Sequence, residues 1–385
     1  MLKMAKLHPK ICFVVTAEIA VKAFLLNHLR ALSNFYEITV IVNTSNTNFL
    51  EEQDIKAKVI PLAISRKISF ISDLICFFKL IKIMKTNQFS LVHSITPKAG
   101  LLSMIAAWLV NIPYRVHTYT GQVWANKKSF KRLILKFADM SYGLLATHVI
   151  VDSPSQLNFL LTERVIAKSK SYVFASGSIS GVDIERFKPR PETRVRIRNE
   201  LNIKDYEVFF LFLGRLNQDK GVLELASAFI QANKKNCKLI FVGPDESNMQ
   251  ERITALHNFD SKEILFVGYT DHPQDFMVAA DVLCLPSYRE GFGSVIIEAA
   301  ACGIPALASR IYGITDAIKD NVTGLMHEAG NISELQSKLE RMAIDGHLRE
   351  TLGKNAYHRA INDFNSERIT QAWCDFYRDV IFKND

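Results

Sequence analysis

The stretch Asp281-Val282-Leu283-Cys284-Leu285-Pro286-Ser287, continued by Glu290-Gly291-Phe292-Gly293-Ser294-Val295-Ile296-Ile297-Glu298, decides how this chain folds. Its first part is a short apolar run stopped by a Pro-Ser break, the pattern of a buried strand. The apolar run resumes at Val295 and continues through Ala299, Ala300 and Ala301 to Cys302-Gly303, where glycine closes a helix. A strand, a glycine-rich turn and a helix start together make an anion site, because the first helical N–H groups point outward without partners. Glu290 falls in the loop beside such a ligand. Glu298 falls about two turns into the helix, where its carboxylate accepts hydrogen bonds from a diol. Asp281 begins the strand and reads as a cap on the preceding helix.

Working outward, the same alternation fills the chain. The first series runs strand Lys10–Thr16, helix Ala20–Ser33, strands Glu37–Asn43 and Lys56–Leu62, and a long helix Ile68–Thr86. It continues with strand Ser90–Ser94, helix Lys98–Val110, strand Tyr114–Tyr119, helix Phe130–Ala146, strand His148–Asp152 and helix Pro154–Thr162. The second has strands Glu207–Gly214, Cys237–Gly243, Glu263–Gly268, Ala280–Pro286 and Pro305–Ser309. Its helices are Val222–Asn233, Glu246–His257, Pro273–Ala279, Ser294–Cys302, Ile332–Ala343, Gly346–Asn362 and Ser366–Phe382. Val/Ile/Leu-rich strands alternating with helices predict parallel sheets covered on both faces, an α/β architecture of two doubly wound units. The small polar run Ser176–Asp183, with Pro189 and Pro191 after it, marks the junction. The expected domains are 1–188 and 189–385, with the last helix, about 366–382, packing back on the first. Residues 1–9 read as a loose basic terminus.

The 385 residues suit two domains, and 48% apolar content suffices for two cores. The net charge of +8 is unevenly spread. Residues 1–188 hold 24 Lys+Arg and 11 Asp+Glu, and residues 189–385 hold 23 and 28. A basic first half calls for an anionic partner. Nucleic acid is disfavoured, since no recognised binding motif accompanies the charge. The six cysteines are scattered without a Cys-x-x-Cys pair, as in a reducing cytosol. No segment reads as a signal peptide, and Leu101–Val110 is half the length of a membrane span. The expectation is a cytoplasmic chain, peripheral on the inner face of the cytoplasmic membrane. Basic-apolar stretches at Lys79–Lys85 and Lys127–Lys136 suit anionic lipid, or equally a solvated face over core leucines.

Strand Val208–Leu213 runs into Gly214-Arg215-Leu216-Asn217-Gln218-Asp219-Lys220-Gly221. Ligands of open parallel sheets bind beyond the strands' carboxyl ends. Arg215 offers a planar fork and Lys220 a point charge to phosphate there; the bland alternative is a solvated loop. Gly243-Pro244 and Gly268-Tyr269 also follow strands, where they either admit a base ring or simply turn the chain. In the first half, His93-Ser94-Ile95-Thr96-Pro97-Lys98-Ala99-Gly100 and His117-Thr118-Tyr119-Thr120-Gly121-Gln122-Val123-Trp124 stand at strand ends. His117 could bond a sugar hydroxyl and Lys98 an acceptor phosphate, with His93 and Trp124 beside them; lone histidines are also common in cores. Ser153-Pro154-Ser155 reads as a helix cap.

The ensemble Gly214-Arg215, Lys220-Gly221, Glu290 with Glu298, and Gly313–Gly324 containing Asn321-Val322-Thr323-Gly324 resembles the retaining glycosyltransferase family 4. Its GT-B fold has two facing Rossmann-like domains with an interdomain cleft. The resemblance implies a nucleoside-diphosphate sugar held mainly by the second domain. Arg215 and Lys220 would meet the diphosphate, the Gly293, Ser294 and Val295 amides a phosphate, Glu298 the ribose and Glu290 the transferred sugar. The strings Thr96–Gly100, Gly121–Trp124, Asp152–Gln156 and Gly177–Asp183 resemble a narrower branch. Its members extend undecaprenyl-diphosphate-linked glycans with N-acetylated sugars, implying O-antigen or capsule synthesis and a UDP donor. One departure stands out. Many family members carry a glycine-rich loop after the first strand, whereas here it reads Thr16-Ala17-Glu18-Ile19-Ala20-Val21-Lys22-Ala23-Phe24, so no donor contact is assigned to it.

The mechanism so implied is retaining, with electrostatic stabilisation of the leaving diphosphate and domain closure against water. It needs no carboxylate base, metal or other cofactor, and no Asp-x-Asp cluster is evident. The rivals are a sugar-nucleotide 2-epimerase of the same fold and a non-catalytic scaffold of a glycan assembly complex.

Overall fold

The computed structural model describes residues 8–65 and 69–382. Most of the basic terminus, and the expected start of the long helix at Ile68, lie outside the described residues. The chain divides into two compact units. One comprises Met1–Ser180 with Glu367–Asp385, the other Gly181–Ser366.

The first unit has seven strands: β1 (Lys10–Val15), β2 (Glu37–Val42), β3 (Ala57–Pro61), β4 (Leu91–Ile95), β5 (Tyr114–Tyr119), β6 (His148–Val151) and β7 (Ser171–Tyr172). All pair in parallel, in the order β3-β2-β1-β4-β5-β6-β7. The pleat explains the continuous apolar strands. In β1, Ile11, Phe13 and Val15 enter one core while Cys12 and Val14 enter the other. On the first face lie Val21, Leu25 and Leu29 together with Ile369, Trp373, Tyr377 and Val380 of the closing helix Ser366–Phe382. On the second lie the helices Phe70–Asn87, Pro97–Leu109 and Ser129–Leu145, contributing Cys76, Leu80, Met84, Ala99, Met104 and Tyr142.

The second unit has six strands: β8 (Val208–Leu213), β9 (Cys237–Val242), β10 (Ile264–Gly268), β11 (Val282–Leu285), β12 (Ala306–Ser309) and β13 (Gly324–His327). They too are parallel, ordered β10-β9-β8-β11-β12-β13. Both units are thus doubly wound α/β sheets, as the alternation implied.

Several elements depart from the sequence reading, each for a local reason. The helix expected over Ala20–Ser33 is two, Glu18–Phe24 and Leu26–Leu32, bent at Leu25, whose φ is −120°. The helix expected from Glu246 starts only at Met249, because the Asp245 carboxylate takes the amides of Ser247, Met249 and Gln250 and holds a turn there. The charged run after Pro191, read as junction, is a helix, Pro191–Glu200. Strand β13, only four residues long, is not among the expected strands.

Candidate active site

Parallel pairing sends every strand of the second sheet out at the same edge. The strand order reverses between β8 and β11, so the connections after these two strands diverge and leave a crevice. The loops that leave there are Gly214–Gly221 and Pro286–Gly293, the two stretches the sequence singles out.

They are tied to each other. The Tyr288 amide donates to the Asp219 carbonyl at 2.9 Å, and Arg289 reaches the Asp219 carboxylate at 3.2 Å. The Tyr288 hydroxyl donates to Glu224 at 2.8 Å; burial, then that carboxylate, push it up to about 12. Gly221 has φ +66°, and a Cβ there would stand 2.1 Å from the Pro286 carbonyl oxygen. Only glycine lets the loops approach so closely. Gly243 does the same between β8 and β9, where an added Cβ would lie 1.9 Å from the Gly214 carbonyl oxygen.

This closeness brings Lys220 and Glu290 together. Lys220 Nζ donates to Glu290 Oε1 at 2.5 Å, and Ser287 Oγ donates to the same oxygen at 2.8 Å. The sequence reading gave Lys220 a phosphate and Glu290 a sugar; the structure shows them partnering one another, with Ser287 as an unforeseen third member. Ser287 is fully buried. Its only signal in the sequence was the Pro-Ser break.

Beyond Gly293 the helix Ser294–Ala301 begins with no side-chain cap, leaving its first amides, Ser294 and Val295, as open donors in the helical ladder. Ile296 and Ile297 on this helix enter the core. Glu298 is partly buried, and among the described residues no side-chain hydrogen bond reaches it. Burial, opposed by the Arg186 charge, pushes its carboxyl up to about 7. Arg215 is exposed and donates to Glu246 at 2.8 Å. Tyr269 follows β10, exposed, with its hydroxyl on Asp271 at 2.7 Å. Asp281 is more than a helix cap: it takes Arg194 at 2.6 Å, Arg198 at 3.2 Å and the Phe209 amide at 2.7 Å, locking β11 to β8 and to the helix Pro191–Glu200.

In the first unit the order reverses between β1 and β4. The residues at that point are Thr16 and Thr96, whose hydroxyls lie 3.3 Å apart. Thr96 has φ +82°, rare for a β-branched residue, and Pro97 opens the next helix. The strand-end Thr-Pro was the one hint of it. Lys98, on that helix's first turn, is held by Asp73 at 2.6 Å.

The other first-half candidates are placed in the interior. His93 is fully buried, its ring between the Tyr377 hydroxyl at 2.5 Å and the Thr118 hydroxyl at 2.7 Å. Desolvation, then His117 and His28, hold it well below the usual imidazole range. His117 bonds Ser94 at 2.8 Å and sits against Gly100, where a Cβ would come within 2.5 Å of the ring. Burial holds it down at about 3, against the Ser94 bond. Trp124 stacks on Phe159 and gives its N–H to Asp139 at 2.9 Å. His93, His117 and Trp124 are thus buried among side chains of the first unit, not set out on its surface as the sequence reading expected. Sequence position at a strand end did not reveal which way each ring turns.

Two doubly wound parallel units, with a cationic and acidic loop pair at a switch point of the second, are the architecture of GT-B proteins. Family models agree: "Glycosyl transferases group 1" matches residues 193–359 and "Glycosyl transferase 4-like" matches residues 10–152. The chain belongs to this glycosyltransferase family, which sets aside the epimerase and scaffold readings. It is similar to the capsular polysaccharide biosynthesis glycosyltransferase CapM of Staphylococcus aureus, 28% identical over 348 residues and 90% of each chain. It is also similar to the N,N'-diacetylbacillosaminyl-diphospho-undecaprenol alpha-1,3-N-acetylgalactosaminyltransferase of Campylobacter jejuni. That relative is 26% identical, over 97% of this chain and all of the other. Among solved structures, Anabaena HepE in complex with UDP and glucose shares the fold, with a TM-score of 0.80 and 20% identity over 97% of this chain and 100% of that one.

Proposed function

We propose that the protein is a retaining transferase that moves a sugar, N-acetylated, from a UDP donor to an undecaprenyl-diphosphate-linked saccharide during capsule or O-antigen synthesis. The observation that carries the donor half is the joined loop pair at the β8/β11 switch point. It gathers one ammonium, one carboxylate and an uncapped helix start within a few residues of each other. A diphosphate matches the ammonium and the helix amides, with Arg215 released from Glu246 as a third donor. Glu298 accepts the ribose hydroxyls, and Gly243 and Tyr269 border the base. The acceptor half rests on the relatives: the Campylobacter protein's name gives a lipid-diphosphate acceptor and an N-acetylated sugar. On the first unit the Thr16/Thr96 pair, and Lys98 once released from Asp73, are the groups assigned to it, and the basic first half draws the chain to an anionic membrane surface.

In the reaction the bond from the sugar's anomeric carbon to the diphosphate breaks, and a bond from that carbon to the acceptor oxygen forms on the same face. The acceptor's proton passes to the departing diphosphate, so no side-chain base is needed. Lys220, Arg215 and the helix start stabilise the charge that grows on the leaving group. Glu290 faces the positive charge on the sugar.

The test is radiolabelled transfer from UDP-N-acetylhexosamines to a lipid-diphosphate saccharide, with product analysis for linkage. UDP should raise the melting temperature, as any ligand of the folded state does. Arg215→Ala should cut turnover about a hundredfold, the scale of one lost transition-state donor, with its melting temperature unchanged. Undiminished turnover would remove the phosphate assignment.

A further inference from the structure

The helix layer formed by Phe70–Asn87, Pro97–Leu109 and Ser129–Leu145 is wrong-sided for a protein in water. A helix on a doubly wound sheet buries one stripe and turns charged residues outward. Here the inner stripe is present, as Cys76, Leu80 and Met84 show, but the outer surface is apolar as well. Phe70 is 87% exposed and Ile71 78%, followed on the same side by Leu74, Ile75 and Phe78. On the third helix Phe130 (72%), Leu133, Phe137 (71%) and Leu144 (77%) recur at helical spacing along one side. The helix between them ends in exposed Trp108 and Leu109.

The charges on this layer are of one sign. Its helices carry Lys79, Lys82, Lys85, Lys98, Lys131, Arg132 and Lys136 against two acids. Asp73 is engaged by Lys98, and Asp139 is buried with the Trp124 N–H and the Tyr142 hydroxyl. On the Phe70 helix, Lys82 and Lys85 fall on the same side as Ile71 and Phe78, one or two turns further on. Arg132 and Lys136 are paired with Glu163 at 2.6 Å each. The face therefore offers large apolar side chains with the exposed Lys79, Lys82, Lys85 and Lys131 among them, and the carboxylates beside it are each engaged by a cation or buried. A second copy of the chain would set cation against cation. An anionic lipid surface satisfies both features at once, taking the apolar side chains among its acyl chains and the lysines among its phosphates.

We propose that this three-helix face is the membrane-docking surface, and that apolar insertion, not charge alone, holds it there. Among the described residues no helix is long and apolar enough to cross a membrane, so the attachment is one of surface insertion. The inference deepens the lipid-linked acceptor reading and rests on it for its purpose. The helix layer also lies on the unit that carries Lys98, so docking brings the headgroup region to that unit.

Sedimentation of the full chain with vesicles of equimolar phosphatidylglycerol and phosphatidylcholine tests it, without using activity. Wild type should sediment with these vesicles and more weakly with phosphatidylcholine alone. Combined Phe78→Ser, Trp108→Ser and Phe137→Ser should weaken binding by at least about tenfold, since each removes several buried CH2 equivalents. Combined Lys79→Glu, Lys82→Glu and Lys131→Glu should remove the preference for the anionic lipid. Both variants should keep the melting shift with UDP, which shows them folded. Serine variants that bind as wild type does would overturn the proposal. So would a wild type that ignores vesicles but self-associates through these side chains. Wild type that binds vesicles yet transfers no sugar would leave the docking face standing and sink the acceptor reading.

Discussion

Glu290 shares one carboxylate oxygen between the Lys220 ammonium and the Ser287 hydroxyl, and that sharing fixes where the carboxylate stands. Ser287 touches no ligand in the proposed reaction; it acts by holding Glu290 still when Lys220 turns to phosphate. A hydrogen bond to a charged group contributes about 1.5–3 kcal/mol. Ser287→Ala should therefore lower kcat tenfold or more while the dissociation constant for UDP, measured by calorimetry, stays near wild type. Equal loss in both would mean that the serine merely supports the loop. Glu298 gives a prediction with a definite sign. Its carboxyl titrates at about 7 in the folded chain against 4.5 as its ordinary value. Between those pH values the unfolded chain releases the proton first, so stability falls as pH rises through the window and is fully lowered above it. A shift of that size corresponds to roughly 3 kcal/mol. Glu298→Gln should flatten this slope in denaturant titrations at pH 4.5 to 8. If ribose hydroxyls donate to the ionised form, UDP should bind wild type more tightly as pH rises past 7, and bind the Gln variant weakly at every pH.

At the scale of elements, the second unit's frame depends on Asp281, which gathers two guanidiniums and a backbone amide where β11, β8 and the helix Pro191–Glu200 meet. Arg198 is almost wholly buried, and its two terminal nitrogens also donate to the carbonyls of Ala279, Lys204 and Glu207. Removing the carboxylate leaves buried positive charge without compensation, a change that costs about 3–5 kcal/mol. Asp281→Ala should lower the urea midpoint accordingly, and a midpoint within error of wild type would show the cluster to be solvated. This cluster also marks the limit of reading elements from sequence. Strands buried on both faces announce themselves by composition, as β1, β8 and β11 do, and so did the loops at Lys220 and Glu290. The helix Pro191–Glu200 was hidden because its partners are carboxylates and carbonyls, not an apolar stripe. Ser287, Thr16 and Thr96 were hidden for a related reason: their importance comes from which strands are neighbours, and spacing along the chain does not carry strand order. His117 and Trp124 erred the other way: His117 lies inside β5, where the sequence does not say which layer covers its face, and Trp124 lies past the strand, where position does not say whether the ring turns to the edge or to the core.

For the whole molecule, the first unit is closed by the last helix through neutral histidines. His28 bonds Thr370 at 2.9 Å and the Ile179 carbonyl at 2.7 Å, and its ring stacks on Trp373 with centroids 4.5 Å apart. His93 holds the Tyr377 hydroxyl and also stacks with Trp373, ring centroids 5.2 Å apart. Both are fully buried, and desolvation holds His28 at about 4 and His93 well below its ordinary 6.5. The unfolded chain takes up protons below pH 6.5 while these rings stay neutral, so their contribution is complete above pH 6.5 and is lost as pH falls toward the folded values. At pH 5 the depressed His28 then costs about 2 kcal/mol of stability relative to neutral pH, and His93 acts in the same direction. The loss should appear first in the closing helix, because each ring bonds one of its hydroxyls and stacks on its Trp373. Hydrogen exchange at pH 5, corrected for the intrinsic rate and compared with pH 7.5, should speed up in Ser366–Phe382 ahead of β8 and β9. Trp373 emission should shift to the red in the same range. Uniform protection at both pH values would mean that the histidines titrate without loosening the helix, and that the first unit draws its acid stability from the apolar contacts of Ile369, Phe376 and Val380 alone.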